Sequence, residues 1–267
     1  MKKIVIFKGG LGNQIYQYGM YTYQQSILHQ EVRYYYRESD HNGFELDKYF
    51  NTTLHEASPF YKWLYELAWR LHKYHICRQF IQMEQEPEKP RHALFINGHW
   101  ANKKYFTHSS FDLSFKQLPL SSANARVASM IKQPGSVAIH VRRGDYLLPQ
   151  NRKIFNTLTA DYYLHAIDYI RQHTEHPLKF FFFSDDIEWV KENIRVNDAE
   201  YIDWNKGDDS VYDMYLMSMA SANIIANSSF SFWAARLNQN NPLVVYPKKW
   251  YAGDGKRDIF SEQWISL

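Results

Sequence analysis

The sequence predicts an α/β fold in two halves, with parallel sheets covered on both faces by helices. Three observations predict it. Short apolar runs rich in β-branched and aromatic residues alternate with amphipathic stretches, 45% of the 267 residues are apolar, and polar clusters stand where several apolar runs end.

In chain order, residues 3–7 read as a buried strand, 9–14 as a glycine-rich turn, 15–29 as a helix and 32–36 as a second strand. Residues 60–82 (FYKWLYELAWRLHKYHICRQFIQ) form an aromatic helix candidate. Phe60, Trp63, Leu64, Leu67, Ala68 and Leu71 share one stripe, and Lys62, Arg70, Lys73 and Arg78 add positive charge. Such a helix either packs on the first sheet or lies at the surface of an anionic bilayer. Pro87 and Pro90 mark a charged loop, and 93–97 reads as a strand. Gln133, Pro134 and Gly135 break a helix and set the expected boundary between domains 1–134 and 135–267. Beyond it, 136–141 (SVAIHV), 179–183 (KFFFF), 201–203, 223–226 (NIIA) and 243–246 (LVVY) read as strands. A helix at 160–173, capped by Thr159, carries Tyr163, Ala166, Ile167 and Ile170 on one face, and further helices are expected at 187–193, 210–220 and 231–237.

Composition narrows the function. A formal net charge of +3 suits an anionic ligand or bilayer and is far too small for nucleic acid. Cys77 is the only cysteine, which excludes an internal disulfide and a cysteine metal cluster. The apolar run after Lys2 and Lys3 is too short for a signal peptide, and no uncharged stretch has membrane-spanning length, so a cytoplasmic protein is expected. The sequons at Asn51 and Asn227 are then accidental.

Ligands of an open parallel sheet bind beyond the carboxyl ends of its strands, where helix N-termini present unpaired N–H groups. Three clusters of the second half sit at such ends: His140, Arg142, Arg143 and Asp145; Ser184, Asp185 and Asp186; and Asn227, Ser228 and Ser229. Strands of one sheet point the same way, so all three should line one edge. Their chemistry fits a nucleoside diphosphate. An arginine fork grips phosphate oxygens, hydroxyls and amides at a helix start form an anion nest, and Asp185 or Asp186 can accept two donors from guanine. Plainer roles suit the same residues: Arg143 pairing with Asp145, one of the two aspartates capping a helix, and Ser231 as an ordinary first-turn residue. A fourth cluster, Gly9 to Gln14, follows the first strand. Gly10 and Gly12 lack the third glycine of a dinucleotide site and the lysine of a P-loop, which leaves a tight turn near a ligand with Asn13 projecting toward it. The chain has no D-x-D, and pairs such as His72 and His75, or His92 and His99, lack carboxylate neighbours. No metal is expected.

Together, GGLGNQ (9–14), HVRRGDY (140–146), FSDD (183–186) and NSSFSFWAA (227–235) resemble the bacterial α-1,2-fucosyltransferases, in order and across nearly the whole chain. The resemblance implies a GT-B architecture: two Rossmann-like domains facing each other across a cleft, the donor in the C-terminal one, and a last helix packing back on the first. It implies an inverting, metal-independent enzyme using GDP-fucose as donor and a galactose-terminated oligosaccharide or lipid-linked glycan as acceptor, and the bilayer reading of the helix at 60–82 would add peripheral contact to the inner membrane. Arg142 would bind the β-phosphate and stabilise departing GDP. His140 and one of Asp185 or Asp186 would hold guanine or ribose, Ser228, Ser229 and Phe230 with nearby backbone the phosphates, and Asn13 the acceptor or diphosphate. Asp145 is a candidate base, with a donor phosphate as the alternative. INGHWANKKYF (96–106) replaces a glycine-tyrosine-phenylalanine-glutamine run of relatives, so His99 and Trp100 bear on acceptor identity. Another sugar nucleotide, or a non-catalytic glycan- or nucleotide-binding module, would use the same clusters.

Overall fold

Strand, glycine turn and helix follow one another at the start of the chain, and the same grammar recurs after residue 135. In a computed structural model the described residues are 2–38, 41–76, 78–84, 93–253, 255 and 258–267; the loop at Pro87 and Pro90, with Cys77, lies outside them. By contacts the chain divides into Met1–Lys116 and Gln117–Leu267.

The first unit runs β1 (Lys2–Phe7), α1 (Leu11–Thr22), β2 (Glu31–Tyr36), α2 (Leu46–Tyr49), α3 (Pro59–His72), β3 (Ile81–Met83) and β4 (Phe95–Asn97). Its strands are parallel in the order β2-β1-β4-β3. Helix α1 starts earlier than residue 15, because Asn13 and Gln14 both donate backbone N–H bonds to the Gly10 carbonyl, 2.9 and 3.1 Å. Gly12, Asn13 and Gln14 thus occupy a first helical turn rather than a loop. The glycine requirement falls on Gly9, whose φ of 77° is left-handed and whose added Cβ would meet the Asn13 amide at 2.9 Å. Gly10 has φ −71° and an ordinary clearance of 3.6 Å to His41.

Helix α3 corrects two expectations. It ends at His72, not at 82, because His75 turns left-handed at φ 63° and Ile81–Met83 joins the sheet. The face that packs on Ile4, Ile6, Ala57 and Phe95 is Tyr61, Leu64, Tyr65 and Ala68, while Phe60, Trp63 and Leu67 point to solvent.

The second unit runs α4 (Ser122–Ile131), β5 (Ser136–Val141), α5 (Pro149–Arg152), α6 (Ala160–Gln172), β6 (Lys179–Ser184), α7 (Ile187–Asn193), β7 (Ala199–Ile202), α8 (Val211–Met217), β8 (Ala222–Ile224), α9 (Ser229–Arg236), β9 (Leu243–Tyr246) and β10 (Ile265–Ser266). The expected boundary at Gln133–Gly135 is therefore misplaced. Helix α4 belongs here: Val127, Ala128 and Ile131 are buried, and Ser136 Oγ donates to the Ile131 carbonyl at 2.6 Å. Gly135, at φ 80° and tight against the Pro177 carbonyl, is a turn inside the unit. Thr159 holds the N-cap position of α6 without a side-chain cap bond. In place of a last helix, the chain ends in β10, parallel to β9.

All strands of this unit are parallel, in the order β10-β9-β8-β5-β6-β7. The chain leaves β5 toward β6 and β7, then returns to β8 on the other side. The direction of winding reverses between β5 and β8, where a doubly wound sheet opens a crevice. Alternate residues Val137, Ile139, Val141, Phe180 and Phe182 pack with α6 and α7. Parity sends His140 to the opposite face, and its ring lies 5.7 Å from Phe230 of α9.

Candidate active site

The loops on either side of that reversal are joined. Tyr146 Oη, from the arginine loop after β5, donates to the Asn227 carbonyl after β8 at 3.0 Å. Tyr146 is itself stacked on Phe155 at 4.5 Å. The sequence signal for this bracket is the tyrosine that closes HVRRGDY.

Arg142 reaches Asp145 Oδ1 at 2.6 Å and Asp185 Oδ2 at 3.0 Å, with its side chain about one-third exposed (34%). Both carboxylates therefore neutralise the fork, and Asp145 is the more open of the two at 44% against 27%. Asp185 also accepts the Arg143 backbone N–H at 2.9 Å, so it fixes the loop from two sides. Gly144 makes this approach possible, since an added Cβ would meet Asp185 Oδ2 at 2.6 Å.

Arg143 does not pair with Asp145. Its Nε donates to Asp186 Oδ2 at 3.0 Å and its guanidinium lies 3.8 Å from the Trp189 ring centre. Asp186 caps α7 by accepting from Trp189 N, and its own N–H donates to Ser184 Oγ at 3.0 Å. Arg143, Ser184 and Asp186 are thus committed to the frame. Asp185 is engaged as well, by Arg142 and by the Arg143 N–H.

At the other flank, Ser228 caps α9, accepting from Phe230 N at 3.3 Å, and Ser229 begins the helix half-buried. Ser231 turns back on the Ala226 and Ser228 carbonyls, as an ordinary first-turn residue does. Asn227 donates through Nδ2 to the Asn156 and Trp250 carbonyls at 2.7 and 2.8 Å. Its Oδ1 is buried without a partner, and so is His140 Nδ1. Burial, then the charge of Arg142, pushes the His140 pKa down to about 3, so the ring is neutral at physiological pH. Two orphaned polar atoms beside the reversal mark a site whose hydrogen bonding is incomplete without a ligand.

One further carboxylate stands at the carboxyl end of this sheet. Asp213, in the first turn of α8, is raised by burial to about 7, against the ordinary 3.8. Half-buried, it accepts one hydrogen bond among the described residues, from Asn205 Nδ2 at 2.7 Å, part of a web with Asn124 and Trp204. The signal was available: at 100° per residue, Asp213 falls between Leu216 and Met217, on the helix's buried arc.

In the first unit the loop after β1 is fixed by amides. Gln14 Nε2 donates to the Gly9 and Gly43 carbonyls at 2.9 and 2.8 Å, and its Oε1 accepts from Glu45 and Leu46 N–H. Gln17 bridges Lys8 and Gly98. Asn13 stands half-buried in the first turn of α1, its amide beside Gly9, and Gly12 is buried next to it. Trp100 is 1% exposed and belongs to the core, while the Glu84 carboxylate accepts the His99 and Ala101 N–H groups and braces that loop.

Among the described residues, no group of three or more His, Cys, Asp or Glu could hold a metal ion, and no helix is long and apolar enough to cross a membrane.

A doubly wound unit with an arginine fork and a serine-capped helix at its reversal, preceded by a second parallel α/β unit, defines the GT-B class of glycosyltransferases. The fold supports this: a solved structure of NodZ alpha-1,6-fucosyltransferase soaked with GDP-fucose matches with TM-score 0.53 at 15% identity, covering 89% of this chain and 93% of that one. The profile of Glycosyl transferase family 11 matches residues 122–267, and the chain belongs to that family. It is 32% identical to an alpha-1,2-colitosyltransferase of Escherichia coli, over 97% of this chain and 96% of the relative. It is also 40% identical to the O-antigen biosynthesis glycosyltransferase WbnK of Escherichia coli, over 49% of this chain and 44% of the relative.

Proposed function

We propose that the chain transfers L-fucose from GDP-β-L-fucose to the 2-hydroxyl of a terminal galactose on a surface glycan, with inversion and without metal. The observation that carries this is the juxtaposition of Arg142 with the capped start of α9 across the reversal between β5 and β8. The Tyr146–Asn227 bond holds the two together.

The diphosphate takes Arg142 and the N–H and hydroxyl of Ser229, the first residue of α9. Asp145, the more exposed counter-ion, yields first, because an exposed pair contributes on the order of 1 kcal/mol or less. As the acceptor oxygen bonds to C1 of fucose, the bond from C1 to the phosphate oxygen breaks, and Arg142 stabilises the negative charge gathering on GDP. The acceptor proton passes to the released Asp145 or to a donor phosphate oxygen. His140, neutral, offers Nδ1 to the nucleotide. Asp213 replaces Asp185 and Asp186 as the reader of guanine, because it is half-buried with a raised pKa and, among the described residues, is bonded by Asn205 alone. Asn13 is assigned to the acceptor; Asn13→Ala should raise the acceptor KM and leave GDP affinity alone.

A second reading rests on the colitosyltransferase relative, since colitose is fucose without its 3-hydroxyl. Turnover of GDP-fucose, GDP-colitose, GDP-mannose and UDP-galactose separates the readings. Preference for GDP-colitose selects the second, and preference for the uridine donor overturns both.

A further inference from the structure

Helix α3 shows two apolar faces. Tyr61, Tyr65 and Ala68 lie within an arc of about 60° and pack on the first sheet, while Phe60, Trp63 and Leu67 fill another arc of about 60°, roughly 140° away. The second arc is open: Phe60 is 60% exposed, Trp63 61% and Leu67 39%. After the helix, Tyr74, Ile76 and Phe80 are exposed as well.

Charge decides what fits this face. Arg70, Lys73 and Arg78 are exposed beside the apolar residues. The acid of the helix, Glu66, is bound by Arg37 at 3.0 Å and offers no counter-charge. A second copy is a poor occupant, because a two-fold interface would set these cations against themselves. Aromatic side chains flanked by arginine and lysine, with no free acid among them, match the headgroup region of an anionic bilayer.

We propose that Phe60, Trp63 and Leu67 of α3, with Tyr74 and Ile76 after it, insert into the interface of an anionic membrane. Arg70, Lys73 and Arg78 contact the lipid phosphates. The helix lies in the plane of the surface, not across it. This is independent of the donor the enzyme uses, and it places the protein where a lipid-linked acceptor would be found.

The test is co-flotation of the full chain with vesicles of phosphatidylcholine alone or mixed with phosphatidylglycerol. The protein should float with the mixed vesicles at low salt, and raised salt should weaken it. Phe60→Ser/Trp63→Ser/Leu67→Ser should lower vesicle affinity by at least about tenfold, because three apolar groups no longer leave water on binding. Its melting temperature and its transfer to a soluble acceptor should be unchanged. Arg70→Gln/Lys73→Gln/Arg78→Gln should remove the preference for phosphatidylglycerol. Absence of flotation with mixed vesicles at low salt overturns the proposal, as does equal affinity in the serine variant. Sedimentation as a dimer that the serine variant dissolves would assign the face to a second copy instead.

Discussion

The first strand of each unit is buried and runs into a glycine-bearing loop, yet the two loops are secured by opposite means. After β1, the loop is held by Gln14 and Gln17, fully buried amides with bonds to Gly9, Gly43, Glu45, Lys8 and Gly98. After β5, it is held by Arg142 and Arg143 through Asp145, Asp185 and Asp186, all with solvent access. Neutral buried bonds make a permanent frame. Charged, half-exposed ones can be traded for a phosphate. The first loop is scaffold, and the second is the one on which the proposed function rests.

The contrast can be broken most sharply at Arg142. Arg142→Ala should lower kcat/KM by about three orders of magnitude or more with the melting temperature nearly kept, since it removes charge from the leaving group. Near-normal turnover in steady-state assays would transfer the phosphate role elsewhere. Gln14→Ala should act on stability instead, costing about 3 kcal/mol in denaturant unfolding, because it strands several buried backbone groups at once.

A smaller effect concerns Asp213. Its folded pKa of about 7 lies above the ordinary 3.8, so its contribution to stability is present at low pH and is lost as pH rises through 7. Asp213→Asn should therefore stabilise the free protein more at pH 8 than at pH 5. If the ionised carboxylate receives guanine, GDP affinity should fall roughly tenfold between pH 8 and pH 6 in calorimetric titration. A flat profile would remove Asp213 from the nucleotide. The smallest expected effect is none: activity should survive EDTA, and loss that magnesium restores would bring a metal into the leaving-group chemistry.

Much of this was legible in the sequence, unevenly. The strands SVAIHV and LVVY and the helix at 187–193 coincide with β5, β9 and α7, because continuous apolar runs and capped short helices leave few alternatives. The polar clusters at strand ends were legible for the same reason. Partnerships within them were not. That Arg142, rather than Arg143, meets Asp145, and that Asp186 serves α7, depends on loop geometry that spacing does not encode. The break at Pro134 was misread as a border because a turn inside a unit and a linker between units use the same residues. Helix α3 does pack on the first sheet as one reading expected, but both of its faces are apolar, so the hydrophobic pattern alone does not say which one meets the sheet.

The Tyr146–Asn227 bond has a consequence for engineering. Because one hydroxyl couples the segments that follow β5 and β8, a graft that replaces either segment alone would arrive with its counterpart out of register. Attempts to retarget the donor should transplant both together, as a single inherited piece.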